Sequence, residues 1–386
     1  MRWRFFLTAR FLLLVLVCAI IPIIASLPAQ AAGVAPRLQQ TGAATESQFL
    51  LLYPELRQAP APPWLRPGVR LTYNAAFATF ARDIDDPTPS GAALIQFDVV
   101  DQDRRSVVSL TTLYSTQIQG QPPTGLGFEV TVPGVGAFWF SPQVLAHAED
   151  AAFDDFTVNR LTTEVEGEAY DVVRMQATTD RSDEVWEFEA DSGILVFHQQ
   201  VLYGADGEKT SGNYMTLAGR RQVKLPWRFG SVPKWVKRGL DIDLSGTQMM
   251  DLGSPPYLRL PMTVNLRTNK VGSLWSEYTQ VTWFNGQQVS QSAGATGVAQ
   301  IFGGTWLPPE ALGVLKTGAV LDRDPLTGLV TRVDEAGSRQ IAISGQGPDY
   351  LVRYTYDARS GRLLGFYSEA HMLAGVQYTE LLGSSD

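Results

Sequence analysis

The 386-residue sequence predicts an all-β, mainly antiparallel protein of two duplicated β-rich domains. Each is expected to be a curved sheet, half-barrel or sandwich with one short helix. Three observations predict this. Single cores stop growing near ~250–300 residues, so a chain of this length divides into at least two units. Three sequence anchors recur in one order at nearly constant spacing. Between them, apolar residues alternate or are β-branched, with turn-forming residues in the gaps.

The first anchor, Pro63-Trp64-Leu65-Arg66-Pro67-Gly68-Val69-Arg70-Leu71, matches Lys234-Trp235-Val236-Lys237-Arg238-Gly239-Leu240-Asp241-Ile242 at an offset of 171 residues. Trp139-Phe140-Ser141-Pro142 matches Trp306-Leu307-Pro308-Pro309 at an offset of 167. Trp186 through Leu195, with Ser192-Gly193 near its end, matches Tyr354 through Leu363, with Ser360-Gly361, at an offset of 168. A repeat this long is a duplicated domain and not a solenoid of short units. Repeat 1 is assigned to residues 62–222 and repeat 2 to residues 223–386.

Within the repeats, Val69-Arg70-Leu71-Thr72-Tyr73 and Leu94-Ile95-Gln96-Phe97-Asp98-Val99 read as strands. Asn285-Gly286 reads as a type I′ hairpin turn, and Glu166-Gly167, Ser192-Gly193 and Ser360-Gly361 as further turns. Ser141 before Pro142, and Pro308-Pro309-Glu310, are expected to open one short helix per repeat, each just after a tryptophan.

The chain begins with Arg2, Arg4 and Arg10, then an apolar run from Phe11 to Ile24 broken only by Pro22, then Ala29-Gln30-Ala31. That is the pattern of a signal peptide, residues 1–31, with cleavage expected after Ala31; the alternative is an uncleaved anchor. The run falls short of the ~20 residues that span a bilayer, which favours removal and an extracytoplasmic location. Residues 32–61, rich in Ala, Gln, Thr and Pro, read as a flexible tether. Phe49-Leu50-Leu51-Leu52-Tyr53 interrupts it and is expected to dock on the body as an edge strand or short helix.

Cys18, the only cysteine, lies inside the leader, so the expected mature chain has no disulfide and no thiolate chemistry. Net charge is −8, or −11 without the leader's three arginines, which argues against nucleic-acid binding. No metal or cofactor motif occurs. The carboxylate pairs Asp83/Asp85/Asp86, Asp101/Asp103 and Asp322/Asp324 lack calcium-loop spacing. His147, His198 and His371 are scattered, and no nucleophile elbow or phosphate loop is present.

Two groups of residues remain as candidates. Trp64, Trp139, Trp235 and Trp306 could line an apolar cleft between sheet and helix that takes an acyl chain; the alternative is that they anchor the cores. The segment from Arg220 to Arg238 holds seven basic residues and no acid, with aromatics interleaved. Arg228, Lys234, Trp235, Lys237 and Arg238 could rest on an anionic membrane surface, or simply join the repeats. The expected function is therefore a non-catalytic extracytoplasmic protein that binds an apolar or lipid-like ligand or acts as an envelope scaffold. The alternative is an extracytoplasmic hydrolase, carbohydrate-active, using carboxylates such as Glu129, Asp154, Asp155 or Glu187.

Overall fold

The computed structural model describes residues 49–80, 88–116, 120–153, 155–227, 230–251, 253, 257–300, 303–373 and 375–383. The expected leader and cleavage site, Asp83, Asp85, Asp86, Asp154 and Arg228 lie outside the described residues.

Strands separated by short turns pair with their sequence neighbours. In repeat 1, β1 (Val69–Thr79), β2 (Thr88–Gln102), β3 (Val107–Ser115) and β4 (Thr124–Thr131) form one meander. A small hairpin, β5 (Val135–Gly136) and β6 (Trp139–Phe140), and the one-turn helix α1 (Pro142–Leu145) lead out of it. A second meander follows: β7 (Ala151–Phe153), β8 (Phe156–Val165), β9 (Glu168–Thr178), β10 (Ser182–Glu189), β11 (Leu195–Tyr203) and β12 (Lys209–Gln222). β12 returns beside β1, giving a ten-stranded antiparallel sheet in the order β4-β3-β2-β1-β12-β11-β10-β9-β8-β7.

Repeat 2 runs through the same course. Its strands are β13 (Asp241–Asp251), β14 (Leu258–Val271), β15 (Trp275–Phe284), β16 (Gln287–Gly297), β17 (Val320–Arg323), β18 (Val330–Ala336), β19 (Gln340–Gln346), β20 (Tyr350–Asp357), β21 (Leu363–Met372) and β22 (Gly375–Gly383). Helix α2 (Pro309–Leu312) precedes β17. The second ten-stranded sheet, β16-β15-β14-β13-β22-β21-β20-β19-β18-β17, matches the first rank for rank.

The turn chemistry is as the sequence indicated. Asn285 and Gly286 both take positive φ, 49° and 78°, which a type I′ turn requires. Gly193 and Gly361 each have φ of 73°. Each helix opens on a proline, but Ser141 does not cap α1 with its side chain. Its N–H is tied to Gly134 O at 2.7 Å, its carbonyl receives the N–H groups of Val144 and Leu145, and its buried hydroxyl finds no partner.

Two cores result. The first collects Tyr73, Phe97, Phe138, Trp139, Phe140, Trp186 and Phe188, and Phe49 joins them. Residues 49–52 are helical, the second of the two expected forms, and Phe49 stacks edge-on with Trp186 at 5.2 Å and Phe140 at 5.5 Å. The second core centres on Trp306, Val333, Ile341, Ile343 and Tyr356. β2 is buried on both faces. Ile95, Phe97 and Val99 enter the first core, while Val100 packs with Val108, Trp275 and Ala295 between the repeats.

Candidate functional site

The four tryptophans fall on equivalent positions. Trp64 donates its indole N–H to Ser192 O at 2.8 Å, and Trp235 to Ser360 O at 2.7 Å. Trp139 bridges to Ile194 and Trp306 to Arg362 by isolated β-pairing. Phe140 N–H bonds Gly193 O, and Leu307 N–H bonds Gly361 O, both at 2.8 Å. Trp139 and Trp306 are 0% and 2% exposed, with indole N–H groups bonded to Pro133 O and Ser276 Oγ. Trp64 and Trp235 are half-buried, each against its own core.

The basic segment divides in two. Val223, Leu225, Trp227 and Val236 are buried in the second core, whereas Lys224, Lys234, Lys237 and Arg238 are exposed. Arg221 points elsewhere, into a cluster that the sequence does not announce.

That cluster lies between the repeats. On the outer face of sheet 1, Arg70 makes a two-pronged contact with Asp98, 2.6 and 2.9 Å, and reaches Asp324 of repeat 2 at 3.2 Å. Arg221 grips Asp322 through both terminal nitrogens, at 2.6 and 2.5 Å, and Asp324 at 2.8 Å. Gln96 adds a 2.6 Å bond to Asp324. The Asp324 side chain is fully buried and that of Arg70 nearly so. Burial pushes the Asp324 carboxyl upward, but Arg221, the Thr327 N–H and Arg70 overcome it and hold the group down at about 2. Burial likewise opposes the Arg70 charge, and Asp98 and Asp324 more than restore it. Two arginines against three aspartates, mutually bonded, form a tie.

Repeat 2 has the same register position without the tie. Arg70 pairs with Asp98 across β1–β2, and Asp241 with Arg267 across β13–β14, signs reversed. Asp241 and Arg267 are exposed.

A second gathering lies on the inner face of sheet 1. Register places Trp186 opposite His198, Glu184 opposite Gln200, and Gln200 opposite Asn213. His198 Nε2 meets Glu184 Oε1 at 3.1 Å, and Asn213 donates to Gln200 at 3.3 Å. His198 Nδ1 and Asn213 Oδ1 are buried without partners. The equivalent positions of repeat 2 are Val352, Phe366, Ser368 and Thr379, so the polar group exists in one copy only. Sequence reading passed over it because His198 has no histidine counterpart, and its three companions are spread over β10, β11 and β12.

Other candidates stay apart. Glu187 is bonded by Arg174, and five strands separate β10 from the β4 strand that carries Glu129. Asp155 is exposed at the start of β8. A shallow depression of about 370 Å³ is lined by Thr162, Ala169, Tyr170, Asp171, Glu189 and Asp191, with neither Trp139 nor α1 in its wall. Among the described residues no group of three acids, histidines or cysteines could hold a metal, and no helix is long and apolar enough to cross a membrane.

No protein-family model matches the chain, and no curated protein does. Among solved structures it is similar to a Nostoc punctiforme protein of unknown function from the DUF3598 family, at 10% identity and TM-score 0.19, covering 82% of this chain and 96% of that one. It is also similar to a Bacteroides fragilis protein provisionally assigned to the outer membrane, at 8% identity and TM-score 0.14, covering 81% and 96%. At TM-scores this low neither likeness carries an argument about this chain.

Proposed function

We propose that the chain is a non-catalytic scaffold of the cell envelope whose two β-domains present their surfaces at one fixed spacing. The observation that carries this reading is the Arg70–Asp98–Asp324–Asp322–Arg221 cluster. A buried charge group spanning two domains costs desolvation on both sides, and removing one member leaves an uncompensated charge. Such a tie serves a protein whose domains must keep one geometry. The burial of Trp139 and Trp306 within the two cores supports the same reading. The leader pattern supports export.

A second reading rests on the inner cluster of repeat 1. Glu184, His198, Gln200 and Asn213 form a polar group beside the Trp186 ring, with two hydrogen-bonding atoms unengaged. An amphiphilic, lipid-like ligand would place a polar head there and its apolar part toward the aromatic residues.

Native mass spectrometry of protein recovered from cells without denaturation separates the two. The scaffold reading predicts the mass of the polypeptide alone. A stoichiometric adduct of lipid mass that disappears in His198→Asn would overturn it in favour of the second.

A further inference from the structure

Four strands end the two sheets: β4 and β7 in the first, β16 and β17 in the second. An edge strand presents a row of unpaired backbone N–H and C=O groups, and folded proteins blunt it by shortness, charge, proline or a cover. Three of the four are blunted. β7 has three residues and β17 four, and β17 contributes Asp322 to the charge cluster. β4 follows Pro122-Pro123, is followed by Pro133, carries Glu129 and lies against β16.

β16 is different. It has 11 residues with no proline and no charge, and no charged residue occurs anywhere from Tyr278 to Pro309. Its last residues pack on repeat 1, with Ala295 beside Val100 and Trp275, whereas residues 287–293 are exposed on both faces. Among the described residues, no strand pairs with its outer side. The one irregularity in its pairing with β15 lies near the hairpin tip, between Thr282 and Trp283, so residues 290–293 are both exposed and in regular register.

We propose that the exposed part of β16, residues 287–293, is a self-association edge, pairing antiparallel with the same stretch of a second copy about a two-fold axis near Ser290 and Gln291. The charge pattern selects the occupant. The chain carries a net −8, so two copies repel over most of their surfaces, but this edge brings no like charges together. It equally offers nothing to a charged partner strand. Gln287, Gln288, Ser290, Gln291 and Ser292 carry amides and hydroxyls that both donate and accept, so the row complements itself. Antiparallel pairing of two identical edges closes into a dimer and leaves neither copy's β16 edge free to propagate.

Sedimentation of the purified protein over a range of concentrations tests this. The expected mass is twice that of one chain at the upper end. Gln291→Glu and Gln291→Lys, each placing like charges across the axis, are expected to sediment as single chains, and mixing the two restores the doubled mass. Ser290→Cys is expected to form an intermolecular disulfide on oxidation, because Cys18 of the leader is the only native cysteine. A single-chain mass for the wild type at every concentration overturns the proposal. So does a dimer that persists in both Gln291 variants, or a mixture of the two that stays monomeric.

Discussion

Arg70 and Asp241 stand at one register position of the two repeats, each opposite a residue of the other sign, yet only Arg70 is buried. The difference comes from what lies above the sheet. Asp322 and Asp324 of repeat 2 cover the outer face of β1 and β12 and supply the extra charge that an arginine pair requires. The consequence is a pH dependence. The Asp324 carboxyl is held at about 2, below the ~3.9 of an unfolded aspartate. Its stabilising contribution is therefore present above pH ~4 and is lost as pH falls from there through ~2; the shift corresponds to about 2 kcal/mol. Thermal melts between these pH values should show wild-type stability falling. Asp324→Asn should start lower and fall less steeply. A wild type and variant with parallel pH profiles would mean that Asp324 does not carry this linkage.

At the scale of elements, the glycine turns hold the repeats in shape. Gly193 and Gly361 both lie at φ 73°, and a Cβ on either would sit 1.9 Å from Phe140 O or 2.4 Å from Leu307 O. Gly167 is also left-handed, at φ 83°, but faces open space. Gly193→Ala and Gly361→Ala should therefore each destabilise by well over ~1 kcal/mol, from strain plus collision, and Gly167→Ala by strain alone, near ~1 kcal/mol. Chemical denaturation of the three variants checks the order; equal effects would show that the carbonyl contacts are unimportant. These positions were legible in the sequence because a backbone that must pass a carbonyl closely accepts little but glycine, and both copies keep it. The tryptophan anchors were legible for a similar reason: Trp64 and Trp235 make the same indole bond in each repeat, and Trp139 and Trp306 the same β-bridge, although their indole N–H groups bond different partners. The charge cluster was not. Arg70 and Asp324 are 254 residues apart, and the matching position in repeat 2 carries the opposite sign, so the duplication itself concealed it. The Glu184–His198 group was hidden likewise, because it exists only where strand register brings three strands together.

For the whole molecule, two sheets of identical topology meet through unlike surfaces. The outer face of β1, β2 and β12 in repeat 1 meets the β17 edge of repeat 2 through charge, and β2–β3 meets β15–β16 through Val100, Val108, Trp275 and Ala295. An interface that joins apolar packing to a buried charge tie couples the folding of its two sides, since opening it exposes the one and strands the other. On this reading the tie makes the two domains one cooperative unit. Breaking it at Arg70 leaves Asp98 and Asp324 with one cation fewer, at a cost of about 3–5 kcal/mol. Tryptophans lie in both repeats, so fluorescence reports on each. Urea unfolding of wild type and Arg70→Met, followed by tryptophan fluorescence, should give one transition for the wild type and two separated transitions for the variant. Two transitions in the wild type, or a single transition with an unchanged midpoint in Arg70→Met, would show that the tie does not couple the two domains.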